Sequence, residues 1–227
     1  MTSTSTIRSL VGVAAAGALF LAACGGSDDA SDAEVADTAA LEQPAADAVD
    51  AEPVGIVETA PVDITGEALP VFGDPANDPA VGVPSPVLSG VSFDGTAVTI
   101  GGPTENLTLV AFLAHWCPAC NEEIPELVAL AEADAYPEGV DVVAVSTAVA
   151  QDRDNYPPSD WFDDEGWPFP VMVDDPDAAG FLAFGGNAFP FLVVLDTDGT
   201  VLLRKAGQSS GAETVALLDA ALAASTG

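Results

Sequence analysis

Two cysteines with two residues between them, Cys117-Pro118-Ala119-Cys120, sit where an apolar run meets a helix-forming one. That junction restricts the folds open to this chain more than any other feature. Leu109 to Ala114 carries only Leu, Val, Ala and Phe, as a strand covered on both faces requires. Asn121 to Leu130 follows in helix-forming residues. A strand that delivers a Cys-x-x-Cys pair to the mouth of a helix reads as a redox dithiol. Unpaired backbone N–H groups and the positive end of the helix dipole lie under the first sulfur. They favour its thiolate, the nucleophile of disulfide exchange. The spacing keeps both sulfurs within one helical turn, close enough to bond.

The N-terminus reads as an export segment, residues 1–23. Met1 to Thr6 is polar, Arg8 supplies the positive charge, and Leu10 to Ala23 is apolar. The apolar part is shorter than the roughly 20 residues a membrane span needs, and fits a secretory signal. It closes on Leu21-Ala22-Ala23-Cys24-Gly25, which resembles the lipobox of bacterial lipoproteins, where cleavage precedes a lipidated cysteine. The competing reading is an ordinary cleavage site with an incidental Cys24. Lipidation of Cys24 leaves Cys117 and Cys120 as the redox pair, and export places them outside the reducing cytosol.

Residues 24–66 read as an acidic, disordered tether. The composition from Gly25 onward shifts to Ala, Asp, Glu, Pro, Ser and Thr without Lys or Arg. Such a segment buries too little apolar surface to offset its chain entropy. Pro44, Pro53 and Pro61 argue against a long helical stalk. The whole chain has 36 acidic against 4 basic residues, a net charge of −32. Nucleic-acid binding is excluded, because nothing is there to neutralise phosphates. Repulsion from an anionic membrane surface makes a covalent anchor more useful.

Residues 67–227 are long enough for one domain with its own core. Leu69 to Pro86 reads as an extended entry segment. Leu88–Phe93 and Thr96–Ile100 flank Asp94-Gly95 as a β-hairpin. Asn106–Ala114 is the central strand and Glu122–Ala133 the helix after the cysteines, with Pro125 inside it as a kink. Val140–Ser146 is a second buried strand, giving a right-handed βαβ unit. Asp152 to Gly166 reads as a loop plus a short helix capped by Ser159. Pro170–Asp174 is a strand, and Asp177–Phe184 a short helix ended by Gly185-Gly186. Phe189–Leu195 and Thr200–Lys205 form the closing hairpin, and Glu213–Ala224 the last helix.

From about Gly66 onward the chain resembles membrane-anchored thioredoxin-like proteins of the TlpA/ResA type, within the redoxin group. The residues that carry the likeness are Phe93-Asp94-Gly95, Phe112 to Cys120, Glu123-Ile124-Pro125, Phe189-Pro190-Phe191 and Asp198-Gly199. The resemblance implies an α/β thioredoxin-like fold, a central mixed sheet flanked by helices, with the N-terminal β-hairpin as an extension. It implies that Cys117 attacks and Cys120 resolves, and that Glu123 relays protons to the resolving thiol. It also implies that Pro190 is a cis-proline facing the disulfide, and that Phe189 offers its backbone to a substrate strand. Trp116 would join Phe189 and Pro190 at the substrate-binding surface, its competing role being a packing plate beside the motif.

Each role has a competitor. Cys117 and Cys120 also resemble half a metal site, but a chain with one histidine lacks the remaining ligands. Most helix glutamates are solvated, and a relay role for Glu123 needs burial to raise its pKa. Most X–Pro bonds are trans, and only the position of Pro190 before a strand opposite the motif argues for cis. His115 is either a cation that steadies the thiolate or a partly exposed strand-end residue. Plain thioredoxin has a buried Asp on the strand before its cysteines, whereas Leu109 to Ala114 has no acid, which leaves Glu123 as the nearby candidate.

The expected protein is a monomeric, lipid-anchored, extracytoplasmic thiol–disulfide oxidoreductase, leaning to reduction. Its dithiol is its own redox centre, without a metal or other cofactor. Its expected partners are the thiols and disulfides of exported proteins and a membrane-linked redox partner. The rivals are an oxidase that forms disulfides in exported proteins and a copper or haem-maturation chaperone using His115, Cys117 and Cys120.

Overall fold

The computed structural model describes residues 55–225. The signal, Cys24 and residues 24–54 of the tether lie outside the described residues. Two sheets make up the fold. Strands β1 (Asp63–Thr65), β2 (Val87–Val91) and β3 (Ala97–Ile100) form an antiparallel sheet in that order. Strands β4 (Leu107–Leu113), β5 (Val140–Ser146), β6 (Val171–Val173), β7 (Phe191–Leu195) and β8 (Val201–Ala206) form the central sheet. Its order is β6-β5-β4-β7-β8, with β4, β5 and β6 parallel and β7 and β8 antiparallel to their neighbours. This is the α/β thioredoxin-like architecture with a mixed central sheet.

Alternation along the central strands builds two cores. Leu109, Ala111 and Leu113 of β4 share one face with Val142, Ala144, Leu192 and Val194. Helices α1 (Pro118–Glu132), α2 (Pro158–Asp164) and α4 (Gly211–Ser225) cover that face through Ile124, Leu127, Phe162 and Leu218. Val110 and Phe112 point the other way with Val143, Val145, Phe191 and Val193. Leu88 and Ile100 of the outer sheet, Phe72, and Phe181 of α3 (Ala179–Ala183) close that second core. Beside it, Arg204 forms a buried ion pair with Asp78 and donates to the carbonyls of Pro70 and Phe184.

Several boundaries differ from the sequence expectations, each for a local reason. The outer sheet has a third strand, because Asp63–Thr65, expected to be disordered tether, pairs with β2. Val57 N–H and Ala60 N–H also bond to the carbonyls of Phe93 and Asp174, so order reaches back into the tether. The entry segment is not wholly extended: Asp74 caps a 3-10 turn at Pro75–Asn77. Helix α1 starts at Pro118 rather than Glu122, since proline at the first helical position has its φ preset and no N–H to satisfy. It runs through Pro125 to Glu132. Helix α2 starts at Pro158, and Ser159 does not cap it. Instead Glu58 accepts from Ser159 N–H at 3.0 Å and from its hydroxyl at 2.5 Å. Helix α4 opens on a reciprocal box in which Ser210 N–H donates to Glu213 and Glu213 N–H donates to the Ser210 hydroxyl. Gly185, at φ +74°, ends α3 as expected, and an added Cβ there would lie 2.3 Å from Pro70 O.

Candidate active site

The cysteines sit where β4 gives way to α1. The chain turns after Ala114, whose carbonyl accepts from Cys117 N–H at 2.9 Å. Cys117 is the N-cap residue, extended at ψ 121°, and its carbonyl accepts the first helical bonds from Cys120 and Asn121. The residue is 9 % exposed, while Cys120 is fully buried one turn on. Both cysteines are free thiols. Burial pushes the Cys120 thiol far up from its ordinary range, the Ala114 backbone opposes, and Cys117 and Glu123 add to the rise.

β7, the antiparallel neighbour of β4, brings the Phe189-Pro190 turn to the same place. The Phe189–Pro190 bond is cis, as expected; Tyr156–Pro157, for which the sequence carries no such signal, is cis as well. The Phe189 carbonyl faces the Cys117 thiol at 3.9 Å. Trp116 stands edge-on to Phe189, ring centroids 6.1 Å apart, and its indole N–H donates to Ala148 O at 2.7 Å.

Glu123 is fully buried, on the turn of α1 after Cys120. One carboxylate oxygen accepts from Ser209 N–H at 2.5 Å, and the other has no protein partner. Burial holds this carboxyl above the usual range, against the Ser209 bond and the Lys205 charge, with Glu126 and Glu213 adding to the rise. The solvated-glutamate reading is thereby set aside.

His115 is neither of the things expected of it. It is 1 % exposed, not a partly exposed strand end. Ala150 N–H donates to Nε2 at 3.2 Å, so Nε2 carries no proton and Nδ1 donates to Asp154 O at 2.7 Å. The ring is a neutral strut between β4 and the loop after β5. Burial pushes its pKa down, against the Asp154 bond and the Glu58 charge. It is not a cation beside the thiolate.

A polar bracket around α1, centred on Asn121, was missed at the level of sequence. Asn121 donates from Nδ2 to Cys117 O at 2.9 Å and to His115 O at 3.3 Å. Its Oδ1 accepts from Trp161 Nε1 and from Asn155 Nδ2, each at 2.9 Å. Asn155 also donates to His115 O at 2.9 Å. One amide thus ties the start of α1 to the loop and to α2. The available signal was a weak helix former directly after the second cysteine.

Comparison with known proteins gives a consistent family. The Redoxin family model matches residues 66–222. No curated protein matches the chain. Among solved structures, the chain is similar to a protein described as a thiol:disulfide interchange protein DsbE from Chlorobium tepidum, with 25 % identity and a TM-score of 0.50. That alignment covers 63 % of this chain and 96 % of the other. It is equally similar to a protein described as a thioredoxin from Neisseria meningitidis, with 25 % identity, a TM-score of 0.50, and coverage of 61 % and 89 %. A DsbF homologue from Corynebacterium diphtheriae shares the fold at 17 % identity and a TM-score of 0.52, with coverage of 66 % and 98 %.

Proposed function

The chain belongs to the redoxin family, and from that premise we propose that it reduces disulfides of exported proteins while anchored outside the cytoplasm. Its enzymatic class, thiol–disulfide oxidoreductase, follows from a Cys-x-x-Cys pair of free thiols set in this fold. One observation carries the reading. The slightly exposed Cys117 faces the Phe189 carbonyl beside cis-Pro190, with Cys120 sealed behind it.

In the reducing direction a client strand lies along the backbone of Phe189, flanked by Trp116. The Cys117 thiolate attacks one client sulfur. The client disulfide breaks, its other sulfur leaves as a thiolate and takes up a proton, and a Cys117–client mixed disulfide remains. Cys120 then has to lose a proton that burial makes it hold tightly. Glu123, one turn away, accepts that proton in its ionised form and passes it on to the departing client sulfur. The Cys120 thiolate attacks Cys117 Sγ, and the client leaves with its second thiol. Two electrons have passed from the dithiol to the client, and a membrane-linked reductant restores them.

Lipidation at Cys24 and the acidic spacer place this chemistry at the membrane surface. Support for the extracytoplasmic setting comes from the N-terminal signal pattern. The reducing direction rests on the TlpA/ResA resemblance. The test is a Cys120→Ser variant, which traps clients as mixed disulfides, together with the dithiol potential measured against glutathione. Trapped exported proteins and a potential well below that of strong oxidants are expected. A potential near about −120 mV would replace the reductase by an oxidase.

A further inference from the structure

Trp116 precedes Cys117, and Phe189 supplies the carbonyl that faces its sulfur. The two aromatic side chains meet edge to face. Over the Trp116 ring lies the guanidinium of Arg153, 4.7 Å from the ring centroid. Ring and loop are fixed to each other, because the indole donates to Ala148 O and Arg153 N–H donates to Ala150 O.

The three cations of the described chain are used differently. Arg204 is buried against Asp78. The Lys205 ammonium is held by the carbonyls of Gly207 and Gln208. Arg153 is exposed and, among the described residues, forms no ion pair, although Asp152 and Asp154 flank it in sequence. A guanidinium stacked on a ring keeps its N–H edge free for two-pronged binding of a carboxylate. In a chain with 36 acidic residues, most of the surface repels anionic clients, and this edge beside the dithiol attracts them.

We infer that Arg153 is a specificity-determining residue that selects polypeptide clients with a carboxylate side chain next to the reacting cysteine. The inference rests on the oxidoreductase reading above. It assigns the guanidinium to the client's acidic neighbour.

The test uses the reduced mature protein and two synthetic peptides, identical except for Glu or Gln after their single cysteine. Each peptide is supplied as a mixed disulfide with 2-thiopyridine. The Cys117 thiolate bonds to the peptide sulfur and pyridine-2-thione leaves. Cys120 then displaces the peptide thiol. The dithiol loses two electrons and two protons, and the probe becomes two thiols. The rate is read from thione absorbance. Arg153→Gln should lower the Glu-to-Gln rate ratio about two- to fivefold at low salt, as loss of one exposed charge several ångströms from the anion implies. Arg153→Glu should lower it further, Arg153→Lys should keep only part of it because an ammonium lacks the planar two-pronged edge, and about 0.5 M salt should flatten the series. An unchanged ratio in Arg153→Gln overturns this inference alone. No thione release from either probe by the wild-type protein overturns the oxidoreductase reading and this inference with it.

Discussion

Replacing Asn121 with alanine removes four hydrogen bonds at once. The cost can be worked out bond by bond. The two Nδ2 bonds end on carbonyls that keep other donors: Cys117 O retains the N–H groups of Cys120 and Asn121, and His115 O retains Asn155. Each therefore costs about 1 kcal/mol or less. Trp161 is different, because its buried indole loses the partner of its one N–H donor, which costs about 1–3 kcal/mol. Asn155 lies at the surface and can turn to water. Alanine's better helix propensity returns about half a kcal/mol. The net loss is about 2–4 kcal/mol. For a domain of this size that lowers Tm by about 5–15 °C. The assay is thermal unfolding of the reduced mature protein followed by circular dichroism, with exposed Glu122→Ala as control. A double-mutant cycle with Trp161→Phe should return a coupling of about 1 kcal/mol or more. A melt of Asn121→Ala within about 2 °C of wild type, or a coupling near zero, would refute the reasoning.

Glu123→Gln should alter how stability depends on pH. Burial raises the Glu123 carboxyl in the folded state, so the folded chain holds a proton that the unfolded chain has released. That contribution is complete below the unfolded carboxyl pKa and is lost as pH rises through the folded one. Urea midpoints of the wild type should therefore fall relative to Glu123→Gln as pH rises above the ordinary carboxylate range; parallel curves would remove the buried, proton-binding carboxyl from the account. Asp78→Ala strips the buried Arg204 of its carboxylate and should cost about 3–5 kcal/mol in urea unfolding, with a loss under 1 kcal/mol contradicting the pairing. Cys24→Ser should move the protein from the membrane fraction to the soluble extracytoplasmic one on fractionation, and retention in the membrane would point to another anchor.

The parts of the fold that could be read from sequence are those where chemistry repeats along the chain. The apolar run of β4, the Asp94-Gly95 turn and the Gly185 stop each depend on a few adjacent residues, and each stands where expected. The dithiol at a helix mouth was legible for the same reason, and the cis Phe189-Pro190 turn through the family resemblance. What escaped depends on distant partners. Asp63–Thr65 has a polar, tether-like composition and becomes a strand only because β2 offers it an edge. Ser159 looked like a cap, yet its partner is Glu58, 101 positions away. His115 has no local feature that distinguishes a buried neutral strut from an exposed cation. Only the Ala150 and Asp154 backbone groups settle it.

The Glu58 contact bears on where this protein can be cut. A soluble fragment begun at Glu67, where the acidic composition fades, would discard β1 and the carboxylate that serves the first turn of α2. That helix carries Trp161, which reaches the residue following Cys120. Such a fragment would keep every residue of the dithiol and still loosen the scaffold that aims it, whereas one begun near Gly55 would keep both β1 and Glu58.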